Sequence, residues 1–316
     1  MAVYTEVSDA DLEAFLVDYD IGQAESFKGI AEGVENTNYV LSTTRGQYMV
    51  TLYEKRVDPR DLPFFLGLMD HLAERGINCP RPIHARDGQA LRTLAGRPAA
   101  VTTFLHGMWP RRMTVKHCGP VGEALAALHL AGRDFPLTRP NALSVSGWRP
   151  VFEGSRRHID PPLDRELSSE LDFFEANWPK ALPAGVIHAD LFNDNVFFLN
   201  ERLSGLIDFY FACNDALAYD LAVMLNAWCF EDDGSYNITK GKALIAAYRA
   251  RRDLTRAELD ALPVLCAGAA LRFLLTRLYD RINHDPNALV RPKDPRDFSK
   301  RLRFHLKVKS PAEYGL

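Results

Sequence analysis

The chain has 316 residues, of which 47% are hydrophobic and 25% charged, and its formal net charge is −3. These values are ordinary for a globular protein with room for one large folded unit or two packed units. Acidic and basic residues are interleaved, which argues against the basic stripe that nucleic-acid-binding proteins carry. We find neither an apolar run near the ~20 residues of a membrane span nor an N-terminal signal peptide. The sequence therefore predicts a cytoplasmic protein without a membrane or nucleic-acid partner, and it leaves the oligomeric state open.

The five cysteines are scattered along the chain and form no Cys-x-x-Cys pair. An odd, scattered set in a cytosolic protein favours small reduced side chains in the core over disulfides or a zinc site. We therefore expect free thiols at all five positions, which are Cys79, Cys118, Cys213, Cys229 and Cys266.

Local patterns in the first hundred residues predict a helix followed by a meandering antiparallel sheet. Ser8 is a suitable cap for a helix over residues 8–18. Residues 47–53 alternate between two faces, as in a strand. A second helix is predicted over residues 58–76, beginning with an Asp-Pro pair and stopping at a glycine. The other predicted strands lie within residues 26–42, 90–94 and 98–104.

A glycine-containing turn is predicted between the first two strands. A hairpin of this kind at the start of a sheet can lay backbone N–H groups over phosphates. Gly29, Gly33, Asn36 and Asn38 would be the residues that do so. The Gly-x-x-x-Gly spacing is a weak signal, and taken alone it is better explained as a plain β-hairpin.

Helical periodicity dominates the rest of the chain. The sequence therefore predicts an α+β protein of two lobes, an antiparallel β-sheet lobe with one main helix over residues 1–105 and a mostly α-helical lobe over residues 106–316. Residues 137–154 are rich in proline and glycine and are predicted to be a loop. The main helices are expected within residues 121–131, 163–178, 217–230, 239–252, 255–281 and 298–306.

Residues 101–107 are predicted to leave the last strand and end in a glycine turn at the lobe boundary. An extended segment between two lobes can offer backbone groups to a flat heteroaromatic ring. Thr102, Phe104 and Leu105 would line that position. A simple linker explains the same pattern equally well.

The residues with the clearest chemical pattern follow two predicted strands in residues 186–208. His188, Asp190 and Asn195 form the spacing His-x-Asp-x-x-x-x-Asn, and Asp208 ends the next apolar run. Phosphoryl transfer from ATP needs a carboxylate for the acceptor hydroxyl, and an Asn and an Asp to hold magnesium on the phosphates. The spacing matches the catalytic loop and the metal-binding Asp of kinases.

Three other interpretations compete with kinase chemistry. A metal hydrolase using His188 and Asp190 would need further closely spaced ligands, and the remaining histidines are isolated. A nucleotide-binding module without catalysis is expected to have lost Asp190 or Asp208, and both are present. A purely structural role explains any single residue of the set, but not their order behind a β-rich lobe.

These motifs resemble the aminoglycoside phosphotransferase-like kinase superfamily, whose members share the two-lobed protein-kinase fold. Within that superfamily the pattern most resembles the homoserine kinases. The resemblance spans nearly the whole chain. It is carried by residues 32–39, 53–56, 186–198, 207–213, 219–222 and 225–230.

The resemblance implies ATP-dependent phosphorylation of the side-chain hydroxyl of L-homoserine, a step toward threonine. Asp190 would orient and deprotonate the hydroxyl, His188 would position the loop, and Asn195 and Asp208 would hold Mg²⁺. The ATP triphosphate would lie under the turn from Gly29 to Asn38, with the adenine against Thr102–Leu105. Similar kinases act on choline, aminoglycosides and methylthioribose, so these acceptors stay open as alternatives.

One departure from the kinase pattern concerns the phosphates. Protein kinases carry a lysine on the third strand, paired with a helix glutamate. Here Thr51 lies near the expected position, and the nearest lysines are Lys28 and Lys55. Glu74 comes late on the following helix, so the sequence identifies no phosphate-binding ion pair.

The acceptor site is also not identified by a motif. An amino acid needs a carboxylate for its ammonium group and a cation or amide for its carboxylate. For each candidate in the helical lobe, packing is the more economical explanation. The candidates are Asp215, Asn226, Trp228, Arg149 and Arg272.

Overall fold

The computed structural model describes residues 5–30, 36–54, 57–284 and 291–316. The described residues form two compact units. The first contains those of Met1–Gly107, Ser204–Tyr210 and Pro286–Arg291. The second contains those of Met108–Leu203, Phe211–Asp285 and Pro292–Leu316.

The first unit is an antiparallel β-sheet with two α-helices. In chain order its elements are α1 (Asp9–Leu16), β1 (Ala24–Gly29), β2 (Thr37–Thr43), β3 (Gly46–Leu52), α2 (Leu62–Glu74), β4 (Leu91–Leu94) and β5 (Arg97–Thr103). The strand order is β1-β2-β3-β5-β4, and every neighbouring pair is antiparallel. Leu41, Val50 and Val101 are fully buried in its core. The predicted sheet is confirmed.

The two helices of this unit begin in different ways. Ser8 accepts a hydrogen bond from the Asp11 N–H at 3.1 Å and begins α1, as predicted. Asp58 instead caps a short 3-10 turn, Pro59–Asp61, and α2 begins only at Leu62. The helix predicted over residues 58–76 is therefore divided into a tight turn and a shorter α-helix.

The second unit is mostly helical, as predicted. In chain order its elements are α3 (Val115–Ala131), α4 (Val145–Ser155), α5 (Pro161–Asn177), β6 (Ala184–Ile187), β7 (Val196–Leu199), β8 (Arg202–Leu206), β9 (Cys213–Ala216), α6 (Leu217–Trp228), α7 (Ile238–Arg249), α8 (Arg256–Ile282) and α9 (Arg296–His305). β8 runs into the Ser204–Tyr210 stretch of the first unit. The short strands form two two-stranded sheets, β6 with β9 and β7 with β8. The α+β class is thus confirmed.

The loop predicted over residues 137–154 is wrong in its second half, because α4 forms there. Trp148 is buried and donates its indole N–H to the Leu143 carbonyl at 2.7 Å. Its ring packs edge-on against Phe174 of α5. Burial of a large aromatic side chain therefore outweighs the helix-breaking tendency of Pro150.

Helix α8 is long and apolar enough, by length and composition, to cross a membrane. The sequence pattern did not single it out, because charged residues interrupt its apolar runs. In the structure 67% of its most apolar 18-residue window is buried inside the protein, as in a core helix. The helix begins with a capping box of Thr255 and Glu258. All five cysteines are free and buried, as expected.

Candidate active site

The His-x-Asp motif directly follows a short strand, β6. Strand β6 pairs antiparallel with β9, and its last residues, Val186 and Ile187, are buried. The chain then leaves the strand at His188 and continues to a 3-10 turn, Asn193–Asn195, before β7 begins. We call residues 188–195 the catalytic loop, after the kinase motif that the sequence predicts there. Its two ends are held by strands, so its position is determined by the core of the second unit.

The catalytic loop contains a backbone conformation that non-glycine residues rarely adopt. Ala189 has a φ of +64°, in the left-handed region. Such a residue is unfavourable by about 1–3 kcal/mol unless neighbouring groups hold it. Asp220 of α6 does this, since its two carboxylate oxygens accept the N–H groups of His188 at 2.7 Å and Ala189 at 2.9 Å.

Asp220 is a fully buried carboxylate with a histidine partner. His129 of α3 places Nε2 3.1 Å from the Asp220 carboxylate, and both side chains are inaccessible to solvent. Burial raises the pKa of Asp220, but the hydrogen bond and charge of His129 and the N–H of His188 outweigh it, so the pKa is lowered overall. The carboxylate therefore stays ionised and serves as a brace for the loop backbone.

His188, Asp190 and Asn195 lie together in the second unit. The backbone N–H of Asp190 donates to His188 Nδ1 at 3.3 Å. Asn195 Nδ2 donates to the Asp190 carbonyl at 2.8 Å and to its carboxylate at 3.2 Å. The Asp190 side chain is 20% exposed, whereas His188 is completely buried. The arrangement leaves one accessible carboxylate with a fixed orientation.

A buried arginine of α8 also contacts this loop. Arg272 Nη1 donates to the Ala189 carbonyl at 2.7 Å and lies 3.8 Å from Asp190 Oδ1. Its guanidinium is stacked over Phe273 at 4.0 Å. The sequence suggested Arg272 only as an acceptor-site candidate. Its bond to the loop joins residues 83 positions apart, and no local pattern indicates it.

Asp208 belongs to the first unit, where it has a φ of +64°. Two residues later, the Tyr210 hydroxyl lies 3.2 Å from that of Tyr53, and it also hydrogen-bonds with Thr51. Burial raises the pKa of Tyr210 to about 12, so the phenol is neutral at physiological pH. Thr51 in turn donates to Asn38 Oδ1 at 2.8 Å. Neutral hydroxyl and amide groups therefore occupy the end of β3.

The remaining nucleotide-site candidates lie along the sheet of the first unit. Gly29 ends β1, and Asn36 accepts the Glu54 N–H at 3.3 Å. Gly33 lies outside the described residues. Thr102 is buried on β5, the Phe104 N–H is directed at the Gln47 carbonyl at 3.4 Å, and the side chain of Leu105 lies against Gly205.

Comparison with known proteins identifies the family. The sequence profile of the phosphotransferase enzyme family matches residues 26–254. The chain belongs to this phosphotransferase enzyme family. It is 60% identical over 325 residues to a homoserine kinase of Paramagnetospirillum magneticum and 63% identical over 319 residues to one of Granulibacter bethesdensis, with 100% of both chains covered in each case.

Solved structures of phosphotransferases share the fold. The amicoumacin kinase hAmiN, in complex with AMP-PNP, Ca²⁺ and Ami, matches with a TM-score of 0.67 at 15% identity over 97% of this chain and 92% of that one. A microcompartment-associated aminopropanol kinase matches with a TM-score of 0.68 at 17% identity over 95% and 94%. At such identities the likeness shows the two-lobed kinase-like fold alone.

This member of the phosphotransferase family has no lysine on β3. Strand β3 carries Thr51 where the kinase pattern has lysine, and Lys28 lies on β1. Lys55 lies outside the described residues. Glu74 ends α2, is 59% exposed and faces Arg81 at 3.5 Å, so it pairs with a surface cation.

Most of the acceptor-site candidates have internal partners. The Asp215 carboxylate accepts hydrogen bonds from Asn141 and from the Ala216 N–H, both at 2.7 Å. Arg149 forms ion pairs with Asp172 and Glu175 at the surface. Asn226 bonds the Cys266 carbonyl and His305, and Trp228 donates to the Leu191 carbonyl. These side chains therefore support the fold.

Asn195 has an amide oxygen that suits a hard divalent cation. It directs its Nδ2 at Asp190, which leaves Oδ1 as the atom that can bind such a cation. Mg²⁺ prefers such oxygen ligands and usually binds one or two of them together with substrate phosphates. Within the described residues no three His, Cys, Asp or Glu side chains are grouped to hold a metal. A hydrolase-type cluster is thus not among the described residues, whereas a kinase-type metal site needs none.

Proposed function

We propose that this protein is an ATP-dependent kinase that phosphorylates the side-chain hydroxyl of L-homoserine to O-phospho-L-homoserine. The observation that supports homoserine as the acceptor is sequence identity of 60% or more, over the full length, to proteins named homoserine kinase. The catalytic loop supports the reaction type independently, because its residues suit phosphoryl transfer to a hydroxyl. The reaction serves threonine biosynthesis, and we place it in the cytoplasm.

Asp190 is the proposed catalytic base. It is the accessible carboxylate of the loop, and Asn195 and Arg272 hold its orientation. It accepts the proton of the homoserine hydroxyl as that oxygen attacks the γ-phosphorus, while the bond from the γ-phosphorus to the bridging oxygen breaks and ADP leaves. His188 positions the loop by accepting the Asp190 N–H.

Asn195 and Asp208 are the proposed magnesium ligands, since both offer oxygen atoms. A cation held by these residues would neutralise charge on the ATP phosphates. We expect ADP release to stop in excess EDTA and to return when Mg²⁺ is added in excess of the chelator. Undiminished turnover in EDTA would count against this metal site.

ATP is the proposed phosphoryl donor. We assign its phosphates to the turn that contains Gly29, Gly33, Asn36 and Asn38, and its adenine to Thr102, Phe104 and Leu105. Residues 1–105 thus act as the nucleotide-binding lobe and residues 106–316 as the catalytic and acceptor-binding lobe. Because β3 carries Thr51, we expect backbone N–H groups and neutral side chains to provide much of the phosphate binding.

The acceptor is tested by a coupled assay of ADP release. The protein with Mg²⁺ and ATP is offered L-homoserine, L-serine, L-threonine, choline and an aminoglycoside in separate reactions. We expect kcat/KM to be highest for homoserine, and product analysis to show O-phospho-L-homoserine. Preference for another acceptor would overturn the substrate assignment, and ATP binding without turnover of any acceptor would indicate a nucleotide-binding module.

A further inference from the structure

Three phenylalanine side chains pack together beside the catalytic loop. The Phe192 ring centroid lies 4.7 Å from that of Phe273 and 6.2 Å from that of Phe298, and the last two centroids are 5.2 Å apart. Phe192 follows Asp190 by two residues, whereas Phe273 lies on α8 and Phe298 on α9. This aromatic cluster therefore joins two helices to the loop that carries the proposed base.

Arg277 of α8 lies on the aromatic cluster. Its guanidinium carbon is 4.4 Å from the Phe298 ring centroid, and its Nη1 donates to the Asp294 carbonyl at 3.3 Å. Only 15% of the side chain is exposed. Among the described residues its one ion pair is with Asp297, whose carboxylate is 4.0 Å away and 59% exposed. A well-buried cation is thus paired with a distant, solvated carboxylate.

The Arg277 guanidinium is largely removed from water, and among the described residues no carboxylate forms an ion pair with it closer than 4.0 Å. Burial lowers the pKa of Arg277 and outweighs the more distant carboxylates of Asp297, Asp190, Asp194 and Asp294, which act in the opposite direction. An arginine stays charged at neutral pH in spite of such burial. Because a buried charge without a close partner is unfavourable, a carboxylate brought to this position would be stabilised.

Arg272 has a different environment, although it lies on the same helix. Its Nη1 is already bonded to the Ala189 carbonyl, and it faces Asp190 at 3.8 Å. Arg277 lies five residues later, about 7.5 Å along the helix axis. Among the described residues, Arg277 has no hydrogen bond to the catalytic loop. Arg272 therefore holds the catalytic loop, whereas the guanidinium of Arg277 is left for a ligand beside that loop.

We propose that Arg277 binds the α-carboxylate of the amino-acid acceptor while the acceptor hydroxyl lies at Asp190. The inference rests on the proposed function and extends it, because it assigns the residue that distinguishes an amino acid from an amino alcohol. A planar guanidinium can bind a carboxylate through two parallel hydrogen bonds, which a lysine cannot reproduce. Acceptors without a carboxylate do not form this contact.

The test compares L-homoserine with 3-amino-1-propanol, which has the amine and the hydroxyl but no carboxylate. In Arg277→Gln we expect kcat/KM for homoserine to fall about 10- to 100-fold, mainly through a higher KM, because a charge-assisted hydrogen bond is lost. The value for 3-amino-1-propanol should stay near that of the wild type. Equal losses on both acceptors would indicate a structural role and overturn the assignment, as would unchanged kinetics on both.

Arg281→Gln is the matched control. Arg281 lies on the same helix and faces the same Asp294, with Nη1 3.6 Å from its carboxylate, but its side chain is 58% exposed. We expect wild-type kinetics with both acceptors in this variant. A loss of homoserine activity equal to that of Arg277→Gln would show a general effect of charge on α8 and overturn the assignment.

Two further measurements keep the outcome decisive. If thermal unfolding shows that Arg277→Gln does not fold, inhibition by L-2-aminobutyrate, which lacks only the hydroxyl, is compared in the wild type and Arg277→Lys. We expect a higher inhibition constant in Arg277→Lys, and an equal constant would overturn the assignment.

Wild-type protein that prefers another acceptor would overturn the proposed function, whereas a homoserine-specific wild type with a fully active Arg277→Gln variant would overturn this inference alone.

Discussion

Two aspartates of the second unit differ in their surroundings. The difference suits Asp190 to the proposed reaction and Asp220 to a supporting role. Asp190 is 20% exposed and can reach a substrate, whereas the Asp220 side chain is inaccessible. Asp220 uses both oxygens on the backbone of residues 188 and 189. The proposed base thus lies on a loop that is held by a second, inaccessible carboxylate.

Replacing Asp190 tests the proposed base. We expect Asp190→Asn to lower kcat with homoserine at least about 1000-fold, because the isosteric amide cannot accept the hydroxyl proton. The melting temperature should stay close to that of the wild type, since the side chain is partly exposed. Asp172→Asn, at a 72% exposed position, is the control and should be fully active. Wild-type turnover by Asp190→Asn would exclude it as the base.

Replacing Asp220 tests the brace. Asn has one oxygen, so Asp220→Asn removes one acceptor of the loop N–H groups and leaves His129 without its carboxylate. We expect a loss of about 2–4 kcal/mol in the free energy of unfolding, measured with urea, together with lower kcat. Because the pKa of Asp220 is lowered, its contribution is present above the unfolded-state pKa of about 3.9 and is lost as the pH falls further. Unchanged stability in the variant would contradict this account.

At the scale of elements, close helix packing supports the catalytic loop from behind. Helix α3 carries His129, the partner of Asp220, and packs along α7. A Cβ atom at Gly122 of α3 would lie 2.2 Å from the Leu244 carbonyl of α7. The absence of a side chain at this position therefore sets the distance between the two helices.

This contact predicts different effects for two glycines of α3. Gly122→Ala should destabilise the protein by about 1–3 kcal/mol, because one of the helices must move. Gly119→Ala is the matched control, since a Cβ atom there meets no atom within 4 Å. Alanine is favoured over glycine in a helix, but the following proline disfavours helical backbone angles for a residue with a side chain. The net change in the free energy of unfolding should therefore be smaller than about 1 kcal/mol. Equal melting temperatures for the two variants would show that α3 and α7 can move apart without a loss of stability.

For the molecule as a whole, the end of the chain is part of the core of the second unit. His305 of α9 hydrogen-bonds with the Tyr314 hydroxyl at 2.8 Å and with Asn226 of α6 at 3.1 Å. Burial, with the nearby Arg301 cation, lowers the pKa of His305 to about 3. The histidine is therefore neutral in the folded protein over the physiological range.

This histidine predicts a pH dependence of stability. In the unfolded chain its pKa returns to about 6.5, so below that pH the unfolded state binds the additional proton. The contribution of His305 is complete above pH 6.5 and decreases by up to about 1.4 kcal/mol per pH unit as the pH falls toward 3. We expect urea unfolding between pH 7 and 5 to show this slope in the wild type and a shallower one in His305→Gln. Parallel slopes would show that His305 titrates equally in both states.

Sequence reasoning succeeded where short spacing carries the information. The alternation that predicted the sheet of the first unit is local, and the predicted sheet is present. The spacing of His188, Asp190 and Asn195 is local too, and their catalytic role stays a prediction. It failed where packing between distant segments decides the outcome. Helix α4 forms in a region rich in glycine and proline because Trp148 and Phe152 are buried there.

The sequence by itself determined which residues are proposed for phosphoryl transfer, because that chemistry needs particular side chains at a particular spacing. Only the tertiary structure decided how they are supported. Asp220 holds the loop from 32 residues away and Arg272 from 83, and Arg277 lies on an aromatic cluster drawn from three segments. Such contacts depend on how helices pack around a common core, and spacing along the chain carries no record of that packing.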